Sequence, residues 1–292
     1  MTALAAGALE ADFSPEAGMV CHSMRHDGEE LLTQRDGVEG YLRTGRWMGV
    51  PLLYPWANRL AAWDYEALGR RADLAPLAVE VVPRDRKTGL PIHGVRPRPW
   101  ELLEASPARL VAELAPDDGV KAAFPYPHRM RIEAELSPTV LRIATTLEAL
   151  EGEVPVAFGF HPWFTLPGVS RAEYAVELPA MRRLALGADK VPDGGTEPLP
   201  AFAGTLPDHE LDDGFDSVAD GAEFAVSGGG RRIALRLDGG YPCAQVYAPL
   251  EKDLICFEPM TAPANALRTG AFGVAAPGAP YHAAFMIAVD RN

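Results

Sequence analysis

The sequence predicts an all-β protein, a large antiparallel β-sandwich, and three observations carry that prediction. Short runs alternate apolar and polar residues with a period of two, the signature of half-buried strands. The 27 prolines and 28 glycines break the chain at close intervals. Few uninterrupted stretches between them are long enough for a good helix. The alternation is clearest at 130–136 (MRIEAEL) and 141–148 (LRIATTLE), with Ser137-Pro138-Thr139 reading as the hairpin turn between them. Further strands are expected at 224–226, 233–237, 244–247 and 283–289. The tract 180–213, with Pro192-Asp193-Gly194-Gly195, reads as a long loop system crossing the sandwich. Strand patterning resumes on both sides of it without a change in composition, and no internal repeat is visible. The chain therefore reads as one domain over 1–292, with roughly the first ten residues flexible.

Composition narrows the function classes. At 48% hydrophobic, the 292 residues can build a sizeable core. Lys and Arg number 27 against 40 Asp and Glu, a net charge of −13, which argues against nucleic acid and anionic membrane surfaces as partners. Three scattered cysteines, Cys21, Cys243 and Cys256, contain no CxxC pair, so neither a disulfide framework nor a thiolate zinc site is expected. The alanine-rich start lacks a basic segment and is broken by Glu10 and Asp12, unlike a signal peptide. No apolar run reaches membrane-spanning length. A cytoplasmic protein is the expectation.

Two segments offer acid–base chemistry. In 158–164 (FGFHPWF), Pro162 fixes the backbone just after His161, and Gly159 permits a close approach just before it. A histidine so held is a candidate proton donor or ligand, or else a core histidine at a strand end. In 255–261 (ICFEPMT), Glu258 likewise ends an apolar strand immediately before a proline. Apolar neighbours disfavour its charged form and raise its pKa toward the range of a general base; a solvated strand-end glutamate is the alternative.

Other segments offer donors. The run 49–60 (GVPLLYPWANRL) ends in Asn58 and Arg59, planar donors suited to hydroxyl groups, though Arg59 could equally form a salt bridge. Trp56 could face a sugar ring or pack in the core. His93-Gly94 is a turn or a site, and 211–216 (LDDGFD) reads as an acidic turn. His22, His26, His128, His209 and His282 show no partner pattern and read as structural or solvated. The absence of HxH and HExxH spacings gives no metal site.

Together these segments resemble the aldose 1-epimerase (galactose mutarotase) family. The matching pieces, in the family's order, are PWANRL (55–60), His93-Gly94, FGFHPWF (158–164), LDDGF (211–215) and FEPMT (257–261). FSPEAG (13–18), GEELL (28–32) and FPYPH (124–128) are similar too, so the likeness runs from about residue 10 to the C-terminus. The resemblance implies a galactose mutarotase-like supersandwich with a sugar groove on one concave face. It implies cofactor-free, metal-free interconversion of the α and β anomers of a hexose. Glu258 would be the general base, His161 the general acid, and the two would stand on opposite sides of the ring. Arg59, His93 and either Asp212 or Asp213 would hold the sugar hydroxyls, with Asn58 beside them. Trp163, two residues after the histidine, replaces a tyrosine common in the family and would reshape the substrate pocket. A small sugar is the expected partner of a monomer or homodimer.

Three other readings compete. A hexose-phosphate epimerase of the same fold would need a basic clamp, for which Arg43, Arg46 and Arg96 are available, although PWANRL fits the neutral-sugar branch better. A carbohydrate-binding protein without catalysis would not need both His161 and Glu258. A glycoside hydrolase would want two carboxylates where this chain offers a histidine and a carboxylate.

Overall fold

The protein was analysed as a computed structural model that describes residues 1–291. Two large antiparallel sheets dominate. The nine-stranded one runs, edge to edge, Phe202–Thr205, Ala175–Leu178, Glu223–Gly228, Arg231–Leu237, Tyr281–Arg291, Val140–Ala149, His128–Leu136, Arg109–Leu114 and Glu101–Ala105. The seven-stranded one runs Pro192–Leu199, Met181–Leu186, Leu211–Asp216, Cys243–Ala248, Cys256–Met260, Gly159–Phe160 and Leu52–Leu53. The expected hairpin is present: Leu136 pairs with Leu141, and Ser137 donates its amide to the Val140 carbonyl.

The two sheets face each other across an aromatic core. Phe285 of the first meets Phe160 of the second with ring centroids 5.0 Å apart, and Phe224 meets Phe257 at 5.7 Å. Strand alternation then decides what the far side of the seven-stranded sheet presents. Phe257, Ala244 and Val246 point into the core, so Glu258 and Gln245 point the other way. That outer face carries the site.

Four expectations need correction. Residues 2–6, expected to be flexible, form the strand Thr2–Ala6, paired with Leu9–Ser14 and anchored by buried Leu4. The tract 180–213 is not a loop system: it contains Met181–Leu186, Pro192–Leu199 and Phe202–Thr205. Pro192–Leu199 lies at a sheet edge, where prolines lose no ladder bond and exposure on both faces leaves no hydrophobic alternation to read. Residues 211–216 form an interior strand rather than an acidic turn, lying between Met181–Leu186 and Cys243–Ala248. Glu258 sits mid-strand in Cys256–Met260, not at its end.

Cys21, Cys243 and Cys256 are free and buried. No helix among the described residues is long and apolar enough to cross a membrane.

Candidate active site

The outer face of the seven-stranded sheet floors an open cavity of about 480 Å³. His161 and Glu258 meet on that floor, with Nε2 3.1 Å from Oε1. Their strands are neighbours: Gly159 pairs with Met260, and a Cβ on Gly159 would come within 2.7 Å of the Pro259 carbonyl oxygen. Only glycine lets the two proline-bearing segments approach this closely.

Burial acts on both partners. It raises the Glu258 carboxyl well above the usual range, with the nearby Asp212 charge adding to the effect. It also depresses the His161 imidazolium to about 3. The charged forms of both groups are thus penalised by the surroundings and favoured by each other. A proton on either group therefore lies along the 3.1 Å contact, within reach of the other. Glu258 Oε2 has no hydrogen-bond partner among the described residues and is free to accept one from a ligand.

The walls supply directional donors. Asn58 and His93 both adopt left-handed backbone conformations, with φ of 57° and 58°, and they clasp each other. The His93 amide donates to the Asn58 carbonyl at 2.9 Å, and the Asn58 amide donates to His93 Nδ1 at 3.1 Å. An acceptor Nδ1 fixes the tautomer, so the proton of neutral His93 resides on Nε2. Burial holds His93 well below its ordinary pKa, with repulsion from His161 and Arg59 adding to it. It is a donor that does not become a cation. The turn that carries it requires Gly94, whose φ is +73° and whose Cβ would overlap the Tyr54 carbonyl at 2.0 Å.

A hydrogen-bonded chain then runs across the floor. Gln245 Nε2 donates to Asp212 at 2.8 Å, Asn58 Nδ2 donates to Gln245 Oε1 at 3.2 Å, and Arg59 donates to Asn58 Oδ1. Arg59 Nε also binds Asp85 at 2.7 Å. Each amide has its orientation set by its neighbours, so the donors are fixed before any ligand arrives. Trp163 lies flat on His161, centroids 4.4 Å apart and planes within 1°, while Trp47 meets His93 edge-on at 5.2 Å.

The family model for aldose 1-epimerase matches residues 6–287. The chain belongs to the aldose 1-epimerase family. Solved structures share its fold over nearly their whole length. A galactose mutarotase-like protein from Clostridium acetobutylicum is 17% identical, with a TM-score of 0.81 over 99% of this chain and 95% of the other. Galactose 1-epimerase from Lactobacillus acidophilus is 15% identical, with a TM-score of 0.75 over 98% and 92%. An aldose epimerase homologue from C. elegans is 14% identical, with a TM-score of 0.80 over 99% and 98%. None of the curated proteins matches the sequence.

In this aldose 1-epimerase family member, the cavity gathers Asn58, Arg59, His93, His161, Trp163, Asp212 and Glu258. Asp213 stays outside it, because strand alternation turns it away from Asp212 and toward Arg183, 3.9 Å distant. Trp56 is also outside: it is buried in the core against Tyr65. His161 and Glu258, expected to flank a sugar ring, lie in direct contact on the cavity floor. Trp163 reaches the cavity as the platform of the catalytic candidate His161.

Sequence reasoning missed Gln245, Asp85, Trp47 and Tyr247, all on the cavity wall. Gln245 and Tyr247 left a signal. In 243–248 (CAQVYA) the core positions are Ala244, Val246 and Ala248, which places both residues on the face of Glu258.

Proposed function

We propose that this protein interconverts the α and β anomers of a hexose by acid–base ring opening and reclosure. The observation that supports this most strongly is the His161–Glu258 contact of 3.1 Å on the floor of a sugar-sized cavity. The reactive form of the pair is imidazolium and carboxylate. Glu258 takes the proton of the anomeric hydroxyl as the bond from C1 to the ring oxygen breaks, and His161 gives its proton to that oxygen. The result is an open-chain aldehyde, neutral His161 and protonated Glu258. Rotation about the C1–C2 bond presents the other carbonyl face. Closure then runs the two transfers backward, so proton and electron counts balance and the pair ends with the one proton it began with.

The remaining polar residues hold the substrate. His93 Nε2–H and Arg59 are donors to sugar hydroxyls, Asp212 is an acceptor, and Asn58 with Gln245 keeps them in register. The stacked Trp163 keeps His161 in one plane and water off one of its faces. Acid and base catalysis of this kind each contribute about 10²–10⁴-fold, enough to speed a reaction that already proceeds in water.

Polarimetry of freshly dissolved α-D-glucose and α-D-galactose tests the reading. The wild type should accelerate the optical change, and Glu258→Gln should remove the acceleration while calorimetry still detects sugar binding. A wild type that binds sugars without altering the rate would make the protein a carbohydrate-binding module instead.

A further inference from the structure

The His161 ring is tied to Glu258 at Nε2 and, among the described residues, to nothing at Nδ1. A working histidine is ordinarily oriented by a hydrogen bond through its second nitrogen. With a single tether the ring can turn about that contact, so its plane is set by stacking on Trp163. The indole has no hydrogen bond of its own either, since Trp163 Nε1 is buried and unpartnered among the described residues. Packing must hold it. Leu254 and Cys256 lie against the indole, and Tyr247 meets it edge-on at 5.9 Å. A cation bears on the same ring: the Arg35 guanidinium carbon is 4.4 Å from its centre, as is the centre of His161.

The backbone keeps Arg35 in that position. Thr33 donates its amide to the Trp163 carbonyl at 2.9 Å, and Thr165 donates to the Leu31 carbonyl at 2.9 Å, lacing 31–33 to 163–165. The chain then turns sharply, with the Gly37 amide on the Gln34 carbonyl at 2.9 Å and Gln34 Nε2 tied to the His22 carbonyl at 2.6 Å. Arg35 occupies that turn with a φ of 45°, a left-handed conformation that favours glycine. Its exposed side chain makes no hydrogen bond or ion pair among the described residues, and its specific contact is the indole. A strained turn thus presents a cation to Trp163 with no salt bridge to offset the strain. The charge also acts on the histidine. Burial is the main cause of the low His161 pKa, and Arg35 pushes it the same way, so an imidazolium here gives up its proton more readily.

We propose that Arg35 is a positioning residue for the anomer interconversion, pinning the Trp163 indole so that His161 keeps its plane against Glu258. This rests on the reaction proposed above and adds to it a residue from a separate segment. A guanidinium over an indole is attracted by the ring quadrupole. Proton transfer demands alignment, so a histidine that tilts about a single tether loses rate. Arginine lying on tryptophan is common in proteins. The strained turn on one side of this pair and the acid–base contact beneath it set it apart.

The test pairs kinetics with a direct view of the stack. In polarimetry on glucose and galactose, Arg35→Ala should lower kcat about three- to tenfold while KM stays within about twofold of the wild type. Arg35→Lys keeps a cation for the ring and should recover at least about half of the lost rate. On a Trp163→Leu background Arg35→Ala should change kcat less than about twofold, because the residue it acts through is gone. The His161 ring proton, assigned by its absence from the NMR spectrum of His161→Asn, is shielded by the stacked indole. Arg35→Ala should move that resonance downfield and Arg35→Lys should restore it. An unchanged kcat, a change confined to KM, or a loss of rate with the resonance unmoved overturns the proposal and leaves anomer interconversion standing. So does an Arg35→Lys variant as slow as Arg35→Ala, or an undiminished loss on the Trp163→Leu background. A wild type inactive on both sugars would overturn the anomer reading itself.

Discussion

His128 and His161 are both almost fully buried, and burial depresses both, to about 4 and about 3. They differ in what their nitrogens meet. His128 Nδ1 donates to the Tyr126 carbonyl, which can only accept, so Nε2 is left to accept the Tyr54 hydroxyl. Its hydrogen bonds are closed and its tautomer is fixed; no proton can move without breaking the core. His161 instead faces a carboxylate across 3.1 Å, on the floor of an open cavity, with Nδ1 unpartnered among the described residues. A depressed pKa is therefore a mark of burial in both, and only the partner and the access single out His161 as the catalytic candidate.

Substitutions should separate the two roles. The largest effect belongs to the cavity pair: His161→Asn or Glu258→Gln should each lower kcat by about 10²–10⁴-fold, read by polarimetry. Both variants should remain folded in denaturant titration, because burial favours the neutral form of the partner left behind. His128→Ala should invert the pattern. The Tyr54 hydroxyl loses its acceptor and a cavity opens, so stability should fall by about 3 kcal/mol while kcat in the folded fraction changes less than about twofold. A catalytic loss from His128→Ala comparable to that from His161→Asn would erase the distinction.

A smaller effect is expected from Gln245, which touches neither member of the pair through the hydrogen bonds it makes to Asn58 and Asp212. Gln245→Ala should raise KM about tenfold, a loss of about 1.4 kcal/mol in substrate positioning, with kcat falling less. Smallest is the pH term from His128. Its folded-state pKa lies below the ordinary 6.5, so the unfolded chain takes up a proton that the folded chain refuses. The stability it contributes is complete above pH 6.5 and is lost as pH falls toward about 4. His128→Asn should flatten the dependence of the melting temperature on pH in that window.

What could be read from sequence follows the same physics. The hairpin of 130–148 was legible because one face of each strand is buried, which writes a period of two into the chain. Pro192–Leu199 was not, because both its faces are exposed and nothing selects alternation. Asp212-Asp213-Gly214 has the composition of a turn, and only its pairing with Cys243–Ala248 makes it a strand. His161 and Glu258 stood out through their prolines and apolar flanks. The contact between them did not, since 96 residues of intervening sequence say nothing about which strands become neighbours.

The most direct test of the proposed His161–Glu258 pair is a double-mutant cycle on kcat, with His161→Asn, Glu258→Gln and the two combined. Groups that act as one unit lose their function once, so the double variant should match the slower single variant within about threefold. Losses that multiply would contradict the account, showing that the histidine and the glutamate work independently.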